Sequence, residues 1–122
     1  MTDIAFQMKA RIRADLTQAL KDKRRDEAGV LRTLIAALDN AEAPEVAHHQ
    51  ASAPPLAFGG DGTEVTRLAL DAGQIRAIVV READERRQAA DTYAQHGQTE
   101  RAERLQADAA IIRTYLDWDG LA

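Results

Sequence analysis

The sequence predicts an all-α protein of four main helices, arranged as two antiparallel hairpins joined by a long Pro- and Gly-containing loop. Three observations carry that expectation. The 122 residues include 25 Ala and only 4% aromatic side chains, a composition that favours helices over strands. Apolar residues recur at three- and four-residue spacing near both ends of the chain. All three Pro fall between residues 43 and 70, where that spacing lapses. The length suits a single domain, divided into a hairpin over 1–42, a loop over 43–70 and a longer hairpin over 71–122.

The first helix starts at a cap supplied by Thr2 or Asp3, and Ile4, Met8, Ile12, Leu16 and Leu20 form its apolar stripe. It ends near "KDKRRDE", residues 21–27. A second helix follows, with Val30, Leu31, Leu34, Ile35 and Leu38 facing inward. Asn40 lies near its C-terminus, where Asn tolerates left-handed backbone. The short polar corner makes the pair antiparallel.

The loop holds three of the seven Gly as well as the three Pro, and its last part, Thr63 to Leu70, alternates imperfectly as a short extended segment would. Beyond it, Asp71 caps a third helix while Gln74 reaches back in a variant of the capping box. That helix is expected from Ala72 to Gln95. Its apolar positions, Ile75, Ile78 and Val79, thin to Ala83, Ala90 and Tyr93, so its distal half packs lightly. Glu82 with Arg86 and Arg87 with Asp91 are four apart, the spacing of helical ion pairs. Gly97 supplies the left-handed residue that stops the helix, with His96 in its negative last turn. Gln98 or Thr99 then begins a fourth helix, whose seam is Ala102, Leu105, Ala109, Ile112 and Leu116. Tyr93 and Tyr115 close the two ends of this second hairpin.

Charge and composition narrow the function. With 16 basic and 20 acidic side chains the net charge is −4, so the molecule as a whole has no attraction for nucleic acid or anionic membrane, and any such binding must be local. The opening "MTDIAFQMKARIRADL" carries charges inside its apolar spacing and no small-residue cleavage site, and no apolar run approaches about 20 residues. The expectation is a cytoplasmic protein without membrane contact. One local imbalance stands out. Residues 9–25 hold Lys9, Arg11, Arg13, Lys21, Lys23, Arg24 and Arg25 against only Asp15 and Asp22. Lys21, Lys23, Arg24 and Arg25, extended along the first helix by Lys9 and Arg13, are the candidate phosphate-gripping residues, all taken as surface positions. The competing reading is a solvated helix end whose cations offset the helix dipole. Since aromatic side chains are not interleaved with these cations, a structured RNA such as tRNA suits them better than a single strand.

No catalytic residue is assigned. The chain has no Cys, and its single Ser, Ser52 in "QASAPP", has no Gly-rich turn to aim it as a nucleophile. "GGDG", Gly59 to Gly62, lacks the Lys-Ser/Thr of a phosphate-binding loop. His48 and His49 are adjacent, cannot share a helical face as ligands four apart do, and have no third partner in view, so no metal or cofactor is expected. Glu82, Asp84 and Glu85 are interleaved with arginines, as on an exposed salt-bridged face.

Two segments carry a resemblance. "VLRTLIAALDNAE", Val30 to Glu42, is similar to the LR-x-L-x-x-A-x-x-N-A-E segment of the GatB/YqeY family. "ERRQAADTYAQHGQTERAERLQADAAIIRTYL", residues 85–116, resembles a second run of that family, with Arg86, Arg87, Tyr93, Gly97, Glu100, Ala102, Tyr115 and Leu116 at matching positions. Gln98 stands where the family usually has Arg, and Gln106 and Ala109 replace acidic residues. The resemblance implies an all-α YqeY-like module, without the C-terminal tail subdomain that usually follows the Tyr-Leu pair. It also implies an association with tRNA-dependent amidotransferases, which are carbon–nitrogen ligases using glutamine as amido donor. The implied partners are tRNA or an amidotransferase or synthetase protein, and the implied role is holding rather than catalysis. The alternative is a protein-interaction scaffold with no nucleic acid.

Overall fold

Asp3 begins the first helix, α1 (Ile4–Lys21), by accepting from the backbone N–H of Ala5 at 3.0 Å and of Phe6 at 3.4 Å. The computed structural model describes residues 3–44 and 68–121, and within them every regular element is helical. Ala5, Met8, Ile12 and Ala19 are buried along α1, with Leu16 half-buried. Leu20, expected in the stripe, is 46% exposed. Residues at a strict spacing of four gain about 40° per step on a helix of 3.6 residues per turn, so from Ile4 to Leu20 the stripe swings by about 160°. Ala19 takes the inner position instead.

Asp22, Lys23 and Arg24 form the corner. Lys23 adopts φ 60°, the left-handed region, and two reversed hydrogen bonds close the turn: Arg24 N–H to the Ala19 carbonyl at 2.8 Å and Lys23 N–H to the Leu20 carbonyl at 3.2 Å. The second helix, α2 (Arg25–Glu42), has no side-chain N-cap, and Asp26 and Glu27 face the positive end of its dipole. Val30, Leu31, Leu34 and Leu38 are buried as expected, and Ile35 packs against them. Asn40 is helical rather than left-handed: α2 runs two residues further and ends with Ala43 in extended backbone.

Most of the expected loop, including His48, His49, Ser52, Gly59 to Gly62 and the start of the extended segment, lies outside the described residues. Its two ends are held together, since the Leu68 N–H donates to the Glu42 carbonyl at 2.7 Å and Leu70 is buried in the core.

The third helix, α3 (Ala72–Gln95), has the expected bounds. Its capping box is complete: Gln74 N–H donates to Asp71 Oδ1 at 2.7 Å, and Asp71 N–H donates to Gln74 Oε1 at 2.9 Å. Gly97, at φ 77°, ends it, and the fourth helix, α4 (Thr99–Arg113), follows. Two 3-10 turns, Thr114–Asp117 and Asp119–Leu121, complete the order. The Glu82–Arg86 pair forms at 3.1 Å, whereas Arg87 turns to Asp84 at 3.7 Å, three residues back, rather than to Asp91.

α3 and α4 make the most extensive contact in the molecule and α1 with α2 the next, while α2 joins the hairpins by packing on α4 and α3. The shared core is built from Met8, Ile12, Leu31, Leu34, Leu38, Ile75, Val79 and Ile112. Beyond Val79 the second hairpin buries Ala83, Ala90, Ala102 and Ala109, so an alanine seam replaces the aliphatic core. Tyr115 is buried against the core, and its hydroxyl donates to Asp15 on α1 at 2.5 Å. It therefore ties the second hairpin to the first instead of only closing one end. Tyr93, at the opposite end, lies 5.5 Å from the Arg101 guanidinium, within cation–π range.

Candidate nucleic-acid interface

The six cations singled out in the sequence do not form one surface. Lys9 is 7% exposed, turned inward between α1 and α2, where its ammonium donates to Asp39 at 2.8 Å and to Glu42 at 2.5 Å. Its expected surface position is therefore corrected: Lys9 follows Met8 toward the inside of the hairpin, and two carboxylates of α2 meet it there. Burial is the largest single influence on this ammonium and pushes its pKa down. The hydrogen bonds and charges of Asp39 and Glu42 together outweigh that and raise it above the ordinary lysine value. A cation so enclosed is not open to a phosphate.

Arg13 is exposed, and its side chain makes no ion pair with a described residue. Eight residues separate it from Lys21, about 12 Å along the helix, so it stands apart from the corner. Arg24 is at the corner but occupied: it donates to Glu27 at 2.6 Å and to Asp22 at 3.1 Å. Gln18 first, and Arg24 second, hold the Asp22 carboxyl below the usual carboxylate range. That leaves Lys21, Lys23 and Arg25, three exposed cations with no ion pair among the described residues, on one tight turn.

The corner opens into a trough between α2 and α4 of about 450 Å³, bordered by Lys23, Arg24, Arg25, Asp26 and Glu27 on one side and by Arg104, Ala107, Asp108 and Ile111 on the other. Arg104 donates to Asp26 across it. A second hollow of about 280 Å³ shares Arg25, Asp26, Arg104 and Asp108 with the trough and extends to Gly29, Thr33 and, on α3, Arg86. At its inner edge, burial pushes the Asp108 carboxyl up, against the opposing pull of Arg104 and Arg86.

Sequence reasoning missed Arg104 and Asp26. They are 78 positions apart, and Arg104 sits in "ERAERL", where it reads as one more member of a solvated charge pattern. The described residues hold no cluster of three side chains suited to a metal ion. No described helix is long and apolar enough to cross a membrane. The trough is a mixed-charge surface, with Lys23, Arg24, Arg25 and Arg104 set among Asp26, Glu27 and Asp108. No protein-family model, curated protein or solved structure matches this chain.

Proposed function

We propose that this chain is a non-catalytic helical module that holds structured RNA of the tRNA class by its phosphates, in association with a tRNA-dependent amidotransferase or synthetase. One observation carries the reading: Lys21, Lys23 and Arg25 crowd one turn as exposed cations that form no ion pair with a described residue, while the carboxylates beside them pair with Arg24 and Arg104. A molecule of net charge −4 has no diffuse attraction for RNA, so binding depends on a place like this one. The resemblance of residues 30–42 and 85–116 to the GatB/YqeY family supports the choice of tRNA among structured RNAs. Phosphate contacts position a partner without reading its bases, so many tRNAs should bind alike.

The test is a tRNA titration of the wild type and of a Lys21→Gln, Lys23→Gln, Arg25→Gln variant at two salt concentrations. For every phosphate that the variant no longer neutralises, the slope of log affinity against log salt should fall by about 0.7–0.9. No wild-type binding at low salt rejects the reading. Binding with equal slopes in both proteins moves the site elsewhere. The second reading, a protein-interaction scaffold, is favoured by Phe6 and Leu20, apolar side chains 63% and 46% exposed on α1. It takes the lead if RNA does not bind.

A further inference from the structure

The corner cations explain how an anion is attracted but not where it comes to rest. A phosphate backbone lying in a channel meets both of its walls, and the described helix across the trough from the corner is α4, which presents Arg104. In the free protein Arg104 is held by Asp26, yet both side chains are more than 60% exposed. A pair so exposed contributes little to stability, because water screens it and two mobile side chains must be ordered to make it. Asp26 takes a single hydrogen bond from Arg104 here, which leaves the guanidinium able to make the two parallel bonds that a phosphate, like a carboxylate, can accept.

We infer that the RNA backbone lies in the trough between α2 and α4, held by Lys23 and Arg25 on one side and Arg104 on the other, with Asp26 acting as an internal anion that the phosphate displaces from Arg104. This rests on the RNA-holding reading and adds to it a second wall and a built-in competitor. Asp26 limits affinity without touching the RNA, so removing its charge should tighten binding. That sign distinguishes the trough from a corner that works alone.

The experiment titrates tRNA into the full chain carrying Asp26→Asn, with Glu103→Gln as its control. Glu103 is exposed on the same helix as Arg104, lines no part of the trough and changes the net charge by the same amount. Asp26→Asn is expected to tighten binding about three- to tenfold and to steepen the salt slope by about one phosphate contact. Glu103→Gln should shift affinity less than about twofold, since an exposed carboxylate outside the trough is screened by water and salt and holds none of the trough's cations. Adding Arg104→Gln to Asp26→Asn should cancel the gain. As a separate check on folding effects, Arg104→Gln alone should weaken binding several-fold, because it leaves Asp26 bare in the channel, while Arg101→Gln, at the Tyr93 end of α4, should not.

Equal shifts for Asp26→Asn and Glu103→Gln, with wild-type binding intact, overturn the trough and leave the corner reading standing. Absence of binding in both the wild type and Asp26→Asn overturns both. Binding by Asp26→Asn without binding by the wild type rejects the RNA-holding reading and, with it, the trough. A polyglutamate peptide that gains from Asp26→Asn while tRNA does not would assign the channel to an acidic protein segment and overturn the RNA assignment.

Discussion

At the corner of the first hairpin Lys23 holds φ 60°, and at the corner of the second Gly97 holds φ 77°. The same pair of reversed hydrogen bonds closes each turn. At the second corner these are Gln98 N–H to the Tyr93 carbonyl at 2.9 Å and Gly97 N–H to the Ala94 carbonyl at 3.0 Å. Glycine takes this backbone without penalty, whereas a side chain in it costs about 1–2 kcal/mol. The costly corner belongs to the hairpin with the deeper core, where Met8, Ile12, Leu31, Leu34 and Leu38 are fully buried and Lys9 joins Asp39 and Glu42. The relaxed corner caps an alanine seam. Strain is tolerated where packing overdetermines the chain, and here it coincides with the exposed cations of the candidate site, a common association at functional positions.

Lys9→Ala should have the largest effect on that contrast. It leaves Glu42, 3% exposed, without its ammonium, and the expected destabilisation is about 3 kcal/mol by denaturant unfolding. A value below about 1 kcal/mol would show that the first hairpin does not depend on its ion triad. Gly97→Val comes next at about 2 kcal/mol, with Gly97→Ala near 1 kcal/mol. A Cβ there meets nothing within 4 Å, so the loss in Gly97→Ala is a backbone cost. An unchanged melting temperature would mean that the two corners do not differ as described.

Tyr115→Phe should cost about 1 kcal/mol by removing a hydrogen bond to a carboxylate that is partly exposed. It also has a pH signature. Burial first, and Asp15 second, raise the Tyr115 pKa above its ordinary value of 10.0. The stability this group contributes is therefore complete below that value and lost as pH climbs from it toward the folded pKa. Lys9, also raised, acts in the same direction above 10.5. Melting temperatures should fall on the alkaline side, less steeply in Tyr115→Phe; identical slopes would remove Tyr115 from the account.

The smallest expected effect is the most specific. Lys23→Gly relieves about 1–2 kcal/mol of strain and adds about 0.5–1 kcal/mol of unfolded-state entropy, for a net gain near 0.5 kcal/mol. RNA affinity should fall in the same variant. A more stable protein that binds as well as before would separate the left-handed corner from binding.

What could be read from the sequence was what neighbouring residues decide. Asp71 with Gln74, and Gly97 after a charged helix, fixed α3 at both ends because caps and left-handed glycines act within a few residues. The alanine seam was legible for the same reason. Lys23 was not, since nothing in "KDKRRDE" distinguishes the residue that bears positive φ from its neighbours. Lys9 looked like a surface cation because its partners, Asp39 and Glu42, are 30 and 33 positions away and meet it only when the hairpin closes. Arg104 needed both hairpins in place before it faced Asp26. In the candidate site, then, the cations were legible as a composition and their division into buried, paired and free was not.

The hydrogen bond between Tyr115 and Asp15 also has a meaning in time. Within each hairpin the helices are separated by three residues, while this bond joins positions 100 apart. Bringing chain ends together grows dearer with the logarithm of loop length, so contacts inside each hairpin are available long before this one. An interaction made after the rate-limiting step leaves the folding rate alone and slows unfolding. Tyr115 is then expected to act as a clasp: its removal should shorten the lifetime of the folded protein more than it delays the chain in reaching it, as unfolding and refolding rates of Tyr115→Phe would show.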